Sequence, residues 1–325
     1  MGMKSILELS KEHNTLPISE IEGIFEGENI NYKILMEKPV VMVESDEIEP
    51  IIDRSAFLKR IGIVLFFVKD IINDVTGKMA EGVTFAIRYF DFVNKNINRM
   101  EIEKNIGKNI EGKVNLKNPD VEIGIYHIND LYYFTELLPI PEKRFLERHP
   151  NKRPYKTNLA MKPKLARAMV NLARVKRGGR IADPFCGGGS ILIEAGLMGI
   201  ESVGIDIESK MVNGCIANTS YYNIKTEIYR GDFSLIKDLG KFDAIVTDPP
   251  YGRSSFKTEP IDHLYQRALK TFRDVIKENG HVSIIFPSEK YVEIAKEYFH
   301  VLEIHKLYVH KSLNRYITLL SLEDY

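Results

Sequence analysis

The sequence contains little cysteine and no long apolar segment. Two cysteines, Cys186 and Cys215, occur in 325 residues; this number fits a reducing cytosol and cannot form a four-cysteine zinc site. No His/Cys cluster has metal-ligand spacing, so we expect no metal. No apolar run approaches about 18 residues, and 61–68 is too short to span a bilayer. Because the N-terminus also lacks the features of a signal peptide, we expect a cytoplasmic protein without a membrane partner.

The sequence also lacks an excess of either charge, with 45 basic and 45 acidic residues. Their distribution is uneven, because residues 1–50 hold 11 Asp/Glu against 4 Lys, whereas residues 149–180 contain bases and no acid. The bases of this second segment are Lys152, Arg153, Lys156, Lys162, Lys164, Arg167, Arg174, Lys176, Arg177 and Arg180. Such asymmetry favours an anionic partner for the basic segment, the alternative being a solvated helix face.

The C-terminal half alternates predicted strands with predicted helices, which indicates a doubly wound, mostly parallel sheet. The predicted strands are 180–182, 202–205, 226–229, 242–246 and 281–286, and the predicted helices are 191–199, 209–222, 263–277 (ended by Gly280 as a left-handed cap) and 288–298. Two further strands, 301–308 and 316–322, are separated by a loop too short for a helical crossover, which favours an antiparallel hairpin. His305, His310, Lys311 and Arg315 border this hairpin, as phosphate contacts or as a solvated edge.

The N-terminal half has an α+β pattern of short strands and helices. It divides into two small sheet–helix domains, 1–70 and 71–138. Residues 139–160 are predicted to be a linker because they contain four prolines. At 325 residues, the chain is long enough for this number of domains.

A glycine-rich loop, Asp183-Pro-Phe-Cys-Gly-Gly-Gly-Ser190, joins the first parallel strand to its helix. Its glycines allow close approach of the backbone to a ligand. Leu192 stands where a dinucleotide fingerprint has its third glycine, and no phosphate-loop Gly-Lys-Ser is present, so a nucleoside ligand is favoured over a diphosphate. Cys186 could be a nucleophile, but no general base is evident beside it.

Four predicted strand ends carry an aspartate: Asp183, Asp206, Asp232 and Asp248. We expect these carboxylates to surround a ligand, because ligands of such sheets bind at the carboxyl ends of the strands. Asp206 lies 23 residues after Asp183, where a carboxylate accepts hydrogen bonds from ribose hydroxyls. Asp232 could hold an adenine amine while Phe233 covers the ring. Each aspartate alone could instead cap a helix or form a turn.

The segment Asp248-Pro-Pro-Tyr-Gly252 follows the fourth strand and suits methylation of an amine on a flat base. The lone pair of such an amine is delocalised into the ring. A carboxylate and a backbone carbonyl that accept its two hydrogens draw the lone pair out of the ring plane, and an aromatic ring holds the base for attack. Prolines fix the backbone and remove competing N–H donors.

With these motifs, residues 155–325 resemble class I S-adenosylmethionine-dependent methyltransferases, among them the enzymes that methylate exocyclic amines. The glycine loop, together with Met-Lys-Pro-Lys-Leu-Ala-Arg at 161–167, resembles archaeal tRNA guanine-N2 methyltransferases. Phe-Ala-Ile-Arg at 85–88 and Val-Asn-Leu-Lys-Asn-Pro-Asp-Val at 114–121 are similar to the THUMP RNA-binding domain, and the segment before them resembles a ferredoxin-like domain.

This resemblance implies a Rossmann-like α/β methyltransferase domain at 161–325, with the mostly parallel sheet and antiparallel hairpin described above. It implies a ferredoxin-like domain at 1–70, a THUMP domain at 71–138 and a linker at 139–160. Overall length and domain order favour the subfamily that transfers one or two methyl groups from S-adenosylmethionine to N2 of guanosine 10 in tRNA.

Residue roles follow from the same resemblance. In the catalytic set, Asp248 and the Pro249 carbonyl accept the target amine, and Tyr251 stacks on guanine. The methyl donor is assigned to Asp183, Phe185, Gly187, Gly189, Asp206, Asp232, Phe233 and Asp248. The tRNA is assigned to Arg88, Lys117 and Asn118 of the THUMP-like segments and, on the charge distribution, to Lys152, Arg153, Lys162 and Lys164 of the basic segment.

Several alternatives stay open. The enzyme could act on guanosine 6 of tRNA or on rRNA, or it could be a DNA adenine-N6 or protein glutamine methylase. The THUMP-like segment favours RNA over the last two. A non-catalytic RNA-binding protein with a decayed methyltransferase fold is the alternative from another class. The number of methyl groups, the oligomeric state and the need for an activating subunit are undetermined.

Overall fold

The computed structural model describes residues 2–71, 75–93, 98–157, 160–251, 260–310 and 313–323, without the side chains of 309, 310 and 313. The chain divides into two compact units. The first comprises Met1–Ser10, Ile30–Ile52 and Leu58–Pro141, and the second comprises Lys11–Asn29, Asp53–Phe57 and Glu142–Tyr325. No helix in the described ranges has the length and apolar character needed to cross a membrane.

The described part of residues 1–141 contains ten strands and three α-helices. The strands are β1 (Met3–Leu9), β2 (Tyr32–Met36), β3 (Val41–Ser45), β4 (Leu58–Val68), β5 (Gly77–Lys78), β6 (Thr84–Asp91), β7 (Ile110–Glu111), β8 (Lys113–Val114), β9 (Val121–Ile128) and β10 (Leu131–Leu137). The helices are α1 (Leu16–Gly27), α2 (Glu49–Arg54) and α3 (Arg99–Lys108).

The first unit is built on an eight-stranded sheet in the order β2-β3-β1-β4-β10-β9-β6-β8. Its pairings are antiparallel, except that β6 pairs in parallel with both β8 and β9. Helix α3 buries Ile106 in a core with Phe85 and Ile87 of β6. The sheet continues through the predicted boundary at residue 70, since β4 pairs with β10. The predicted domains 1–70 and 71–138 thus contribute strands to one sheet. The boundary between a ferredoxin-like and a THUMP domain stays a prediction.

The rest of the described chain contains seven strands and five α-helices. The strands are β11 (Arg180–Asp183), β12 (Glu201–Asp206), β13 (Glu227–Arg230), β14 (Phe242–Thr247), β15 (Ile276–Phe286), β16 (His300–His310) and β17 (Leu313–Ser321). The helices are α4 (Pro163–Leu172), α5 (Ser190–Leu197), α6 (Ser209–Tyr221), α7 (Ile261–Val275) and α8 (Glu289–Ala295).

The second unit contains a seven-stranded sheet in the order β13-β12-β11-β14-β15-β17-β16. Strands β11 to β15 pair in parallel, whereas β17 is antiparallel to both β15 and β16. Strand β14 has apolar side chains on both of its faces. Phe242, Ala244, Ile245 and Val246 are all buried, as expected for a central strand covered on both faces. The predicted doubly wound sheet with a closing antiparallel hairpin is therefore confirmed.

Helix α1 packs within the second unit, although it occurs early in the chain. Glu20 of α1 is fully buried and accepts hydrogen bonds from Ser55 Oγ (2.7 Å), Ala56 N (2.8 Å) and Asn171 Nδ2 (2.8 Å). Desolvation raises the pKa of this carboxyl, and these hydrogen bonds oppose the rise. Residues from 1–70 thus help to build the core that supports the C-terminal sheet.

Two local predictions differ from the structure. Gly280 does not cap a helix: α7 ends at Val275 and the chain continues directly into β15, which contains Gly280. A Cβ at Gly280 would lie 2.8 Å from the Asp243 carbonyl oxygen, so close strand packing rather than a left-handed turn explains this glycine. Helix α4, which begins at Pro163, is absent from the predicted helices.

Candidate active site

Four aspartates occur in succession along the carboxyl edge of the parallel strands. Asp183 ends β11 and Asp206 ends β12, whereas Asp232 and Asp248 follow β13 and β14. The strand order β13-β12-β11-β14 makes these strands neighbours, and every pairing among them is parallel. The fold thus brings together the acids that the sequence places at strand ends.

The glycine loop between β11 and α5 is shaped by two left-handed residues. Gly187 has φ +49° and Gly189 has φ +81°, values that favour glycine. A Cβ at Gly189 would lie 2.8 Å from Cys215 Sγ, whereas nothing lies within 4 Å of a Cβ at Gly187. Gly189 is therefore required for packing, and Gly187 leaves open space beside the loop.

Asp206 connects the loop to the end of β12. Its Oδ2 accepts from Gly187 N at 3.0 Å, and its Oδ1 accepts from Glu208 N at 2.8 Å. Desolvation raises the pKa of Asp206, and these two backbone donors oppose the rise. Each carboxylate oxygen keeps a further lone pair that can accept a ligand hydroxyl.

Asp183 lies beneath the loop and is 3% exposed. Its Oδ1 accepts from Thr247 Oγ1 at 2.7 Å and from Phe185 N at 3.2 Å. Burial raises its pKa to about 7, against the hydrogen bonds from Thr247 and Phe185. This carboxyl is therefore poised to change charge near neutral pH, and a cation nearby would favour its ionised form.

Asp232 is already engaged by the protein. It accepts from Ser234 N at 3.0 Å and from both terminal nitrogens of Arg267, at 2.8 and 3.0 Å. Although burial opposes the change, Arg267 and Ser234 lower its pKa to about 2. The ring of Phe233 is 3% exposed and lies under the Arg267 guanidinium at 4.3 Å. An adenine amine would have to share Asp232 with Arg267.

Phe185 is the more accessible aromatic ring of this part of the site. It is half-buried, and its centroid lies 5.2 Å from that of Phe233. Phe185 therefore presents more ring surface to a flat ligand than Phe233 does.

Asp248 and Tyr251 contact each other, and Gly252 of the motif lies outside the described residues. The Tyr251 hydroxyl donates to Asp248 Oδ1. Arg315 approaches both, with Nη1 at 3.9 Å from Asp248 Oδ2 and its guanidinium 4.2 Å from the Tyr251 ring centroid. Burial raises the pKa of Asp248 to about 6, against the effects of Tyr251 and Arg315.

The backbone of the motif is also held in place. Pro249 is buried, and the Pro250 carbonyl accepts from the Tyr265 hydroxyl at 3.4 Å. Tyr265 itself is fully buried on α7. The prolines are thus anchored to the helix that follows the motif.

Cys186 does not have the surroundings of a nucleophile. It is 5% exposed, and its pKa is raised by contact with the Cys215 thiol and by burial. A raised pKa disfavours the reactive thiolate.

The basic segment 149–180 divides into exposed and engaged residues. Lys152 and Lys162 are exposed, whereas Lys164 forms an ion pair with Glu12 at 2.7 Å. Arg153 is 1% exposed, and its Nη1 donates to Ser190 Oγ at 2.6 Å. Its assignment to RNA was therefore wrong, because a buried guanidinium cannot reach a phosphate.

Other bases of this segment are bound to acids. Arg167 is buried against Glu194 at 2.9 Å, and Arg174 contacts Glu303 at 3.1 Å. The numbers of acids and bases within residues 149–180 do not distinguish these structural bases from the exposed ones, because the acidic partners lie elsewhere in the chain.

In the first unit, Lys117 and Asn118 lie exposed on a compact loop. Their backbone N–H groups both donate to Asn115 Oδ1 at 3.2 Å. Arg88 is half-buried, donates to the Leu116 carbonyl at 2.9 Å and pairs with Glu122 at 2.9 Å. Arg88 thus supports the loop that presents Lys117.

Near the hairpin, His305 is also engaged. It is 5% exposed, and its ring nitrogens contact Thr15 Oγ1 at 2.8 Å and Glu303 Oε2 at 3.1 Å. Lys311 and the side chain of His310 lie outside what the structure describes. Of the four residues considered for phosphate contacts, Arg315 lies instead beside Asp248.

Two family models match parts of this chain. A model of the RMKL-like methyltransferase domain matches residues 150–317, and a DNA methylase model matches residues 19–218. A tRNA (guanine(10)-N2)-dimethyltransferase from Methanocaldococcus jannaschii is 33% identical over 349 residues, which cover 95% of this chain and 97% of the relative. The chain belongs to the tRNA (guanine(10)-N2)-dimethyltransferase family.

Further members of this family are also similar. The enzyme of the same name from Methanothermobacter thermautotrophicus is 33% identical, covering 98% of this chain and 99% of the relative, and that from Pyrococcus abyssi is 39% identical, covering 78% and 80%. Among solved structures, TrmN from Thermus thermophilus shares the fold, with a TM-score of 0.53 and 17% identity over 99% of this chain and 100% of that one.

Proposed function

We propose that this chain transfers one or two methyl groups from S-adenosylmethionine to N2 of a guanosine in tRNA, with guanosine 10 as the target. The proposal is carried by one observation: the residue before Asp248, Thr247, donates to Asp183 of the glycine loop at 2.7 Å, in a chain whose relatives of that name match nearly its whole length.

The residues of the carboxyl edge fit the methyl donor. Asp206 would accept the ribose hydroxyls, and Phe185 and Phe233 would flank the adenine. The open space at Gly187 would admit the methionine part, near Asp183. Asp232 would accept the adenine amine with the lone pairs that Arg267 leaves. When bound, S-adenosylmethionine supplies an electrophilic methyl group on a cationic sulfur.

The chain's own residues would prepare the guanine amine. The Asp248 carboxylate and the Pro249 carbonyl accept its two hydrogens, which localises the lone pair on nitrogen, and Tyr251 stacks on the base. A pKa of about 6 leaves Asp248 ionised at neutral pH and able to take the proton that the amine loses. Extruding the base costs on the order of a few kcal/mol, which stacking and these hydrogen bonds offset.

We propose that tRNA docks on the exposed bases of both units. Lys152 and Lys162 would contact the backbone in the second unit, and Lys117 with Asn118 in the first, in a THUMP domain at 71–138 that follows a ferredoxin-like segment. With tRNA as the substrate, the enzyme would act in the cytoplasm.

A DNA adenine methylase is the weaker interpretation. The match to the DNA methylase model ends at residue 218, before the motif that would hold the target amine, whereas the match to the RMKL-like domain includes that motif.

The decisive experiment is mass mapping of unmodified tRNA after incubation with the purified protein and S-adenosylmethionine. We expect N2-methylguanosine or N2,N2-dimethylguanosine at position 10, and none in a transcript with adenosine there. Methylation at guanosine 6 would show that the target is a different nucleoside of tRNA. Methylation of rRNA or of adenine in duplex DNA would show that the substrate is not tRNA. If tRNA is methylated only after a cell extract is added, an activating subunit is required.

A further inference from the structure

Arg315, on the closing hairpin, reaches the proposed methyl-acceptor site. It lies on β17, opposite Leu307 of β16, and is 67 positions from Asp248 in the sequence. Its side chain is 27% exposed, and that of Asp248 is 20% exposed. The pair is therefore partly shielded from water, where charges interact more strongly than at an open surface.

The guanidinium makes two separate contacts. Its central carbon lies over the Tyr251 ring, 4.2 Å from the centroid, which is within cation–π distance. Its Nη1 faces Asp248 Oδ2 at 3.9 Å, while Tyr251 donates to the other oxygen, Oδ1. Arg315 thus contacts the aromatic and the acidic member of the motif at once, and a lysine could replace its charge but not its flat face.

The ionisable groups around Asp248 make Arg315 distinctive. Tyr251, Tyr265 and Asp183 also interact electrostatically with this carboxyl. Asp183 disfavours a second negative charge nearby, and the two tyrosines are neutral at neutral pH. Among the described groups that interact with Asp248, Arg315 is the cation.

We propose that Arg315 is a positioning residue of the methyl-acceptor site, holding the Tyr251 ring against its guanidinium and facing the Asp248 carboxylate with its Nη1. This rests on the proposed function, since it assigns Arg315 to the same reaction. Asp248 accepts the amine hydrogens as an anion, and Tyr251 presents to the base the ring face that Arg315 does not cover.

The two contacts are separable by substitution. Arg315→Gln removes the charge, so the pKa of Asp248 rises and the acid limb of the rate profile moves to higher pH by about one unit. Arg315→Lys keeps the charge and the acid limb but removes the flat stacking surface, so the methyl-transfer rate at pH 8 falls about tenfold. Arg273→Gln, on the exposed side of α7, is the matched control and should behave as wild type.

The experiment measures single-turnover methyl transfer to tRNA between pH 5 and 9 with saturating donor, together with donor affinity by calorimetry. The proposal requires donor affinity within about threefold of wild type for both variants, because Arg315 faces the acceptor side. The proposal would be overturned if both variants kept the wild-type methyl-transfer rate and the wild-type position of the acid limb. It would also be overturned if Arg315→Gln lowered the methyl-transfer rate equally at every pH. If Arg315→Gln does not fold, Arg315→Lys still tests the stacking contact. An inactive wild-type protein would instead refute the proposed function.

Discussion

The sharpest test of the site is Asp248→Ala. The substitution removes the acceptor that we place on the guanine amine and leaves the donor-side residues Asp183 and Asp206 intact. A preorganised group of this kind contributes about 10²–10³ to the rate constant, or roughly 3–4 kcal/mol. At pH 8 wild-type Asp248, with a pKa of about 6, is almost fully ionised, so the whole effect is measurable there.

The same substitution should do little to the folded protein. Burial already disfavours the Asp248 carboxylate, so its removal relieves a desolvation cost while it deprives Tyr251 and Arg315 of a partner. These effects oppose each other, and we expect the melting temperature to stay within about 4 °C of wild type.

The assay is transfer of a labelled methyl group to unmodified tRNA in a single turnover at pH 8, with donor affinity measured by calorimetry. Asp248→Asn is the matched control, since it keeps one acceptor oxygen and should retain more activity than the alanine variant. Transfer by Asp248→Ala within fivefold of wild type would refute the assignment. An equal loss of rate and donor affinity would show that Asp248 belongs to the donor site instead.

Three further predictions concern the site and its surroundings. Asp206→Ala should weaken donor binding by about 10–100-fold, and an unchanged calorimetric Kd would exclude the ribose role. The double variant Lys152→Glu/Lys162→Glu should weaken tRNA binding and reduce the slope of log K against log salt by about 0.9 for each phosphate that is no longer neutralised. The control Arg153→Ala should lower the melting temperature and leave that slope unchanged. An unchanged slope in the double variant would show that the RNA binds elsewhere. Burial raises the folded-state pKa of Asp183 to about 7, above its unfolded value, so its contribution to the free energy of unfolding is complete below about pH 4 and disappears as pH rises through 7. Asp183→Asn should therefore reduce the fall in the free energy of unfolding between pH 5 and 8 by up to a few kcal/mol, measured by denaturant titration. Parallel wild-type and variant curves of this free energy against pH would contradict the prediction.

Much of the C-terminal fold was predictable because its signals are local. Strands such as β14 are short apolar runs, and the helices between them show helical spacing of buried side chains. The alternation of the two, with a short final loop, determines a parallel sheet and its antiparallel closure. The prediction that Gly280 caps a helix was wrong. The sequence does not distinguish a glycine that ends a helix from one that allows close packing of strands.

The acids of the site were also predictable from sequence, since each follows a strand and the carboxyl ends of parallel strands share an edge. Which groups already satisfy those acids was not predictable. Arg267 pairs with Asp232 from 35 residues away, and Arg315 reaches Asp248 from β17. Such partners depend on strand order, which local periodicity does not contain.

Sequence patterning therefore established which chemistry this protein carries: a glycine loop, acids at successive strand ends and an Asp-Pro-Pro-Tyr segment. Tertiary packing decided which charges remain available for it. Arg153 is the clearest case, because it stands in an acid-free segment yet is buried against Ser190. The physical reason is that a side chain's type is a property of the chain, whereas its burial and its ion-pair partner are properties of the folded neighbourhood.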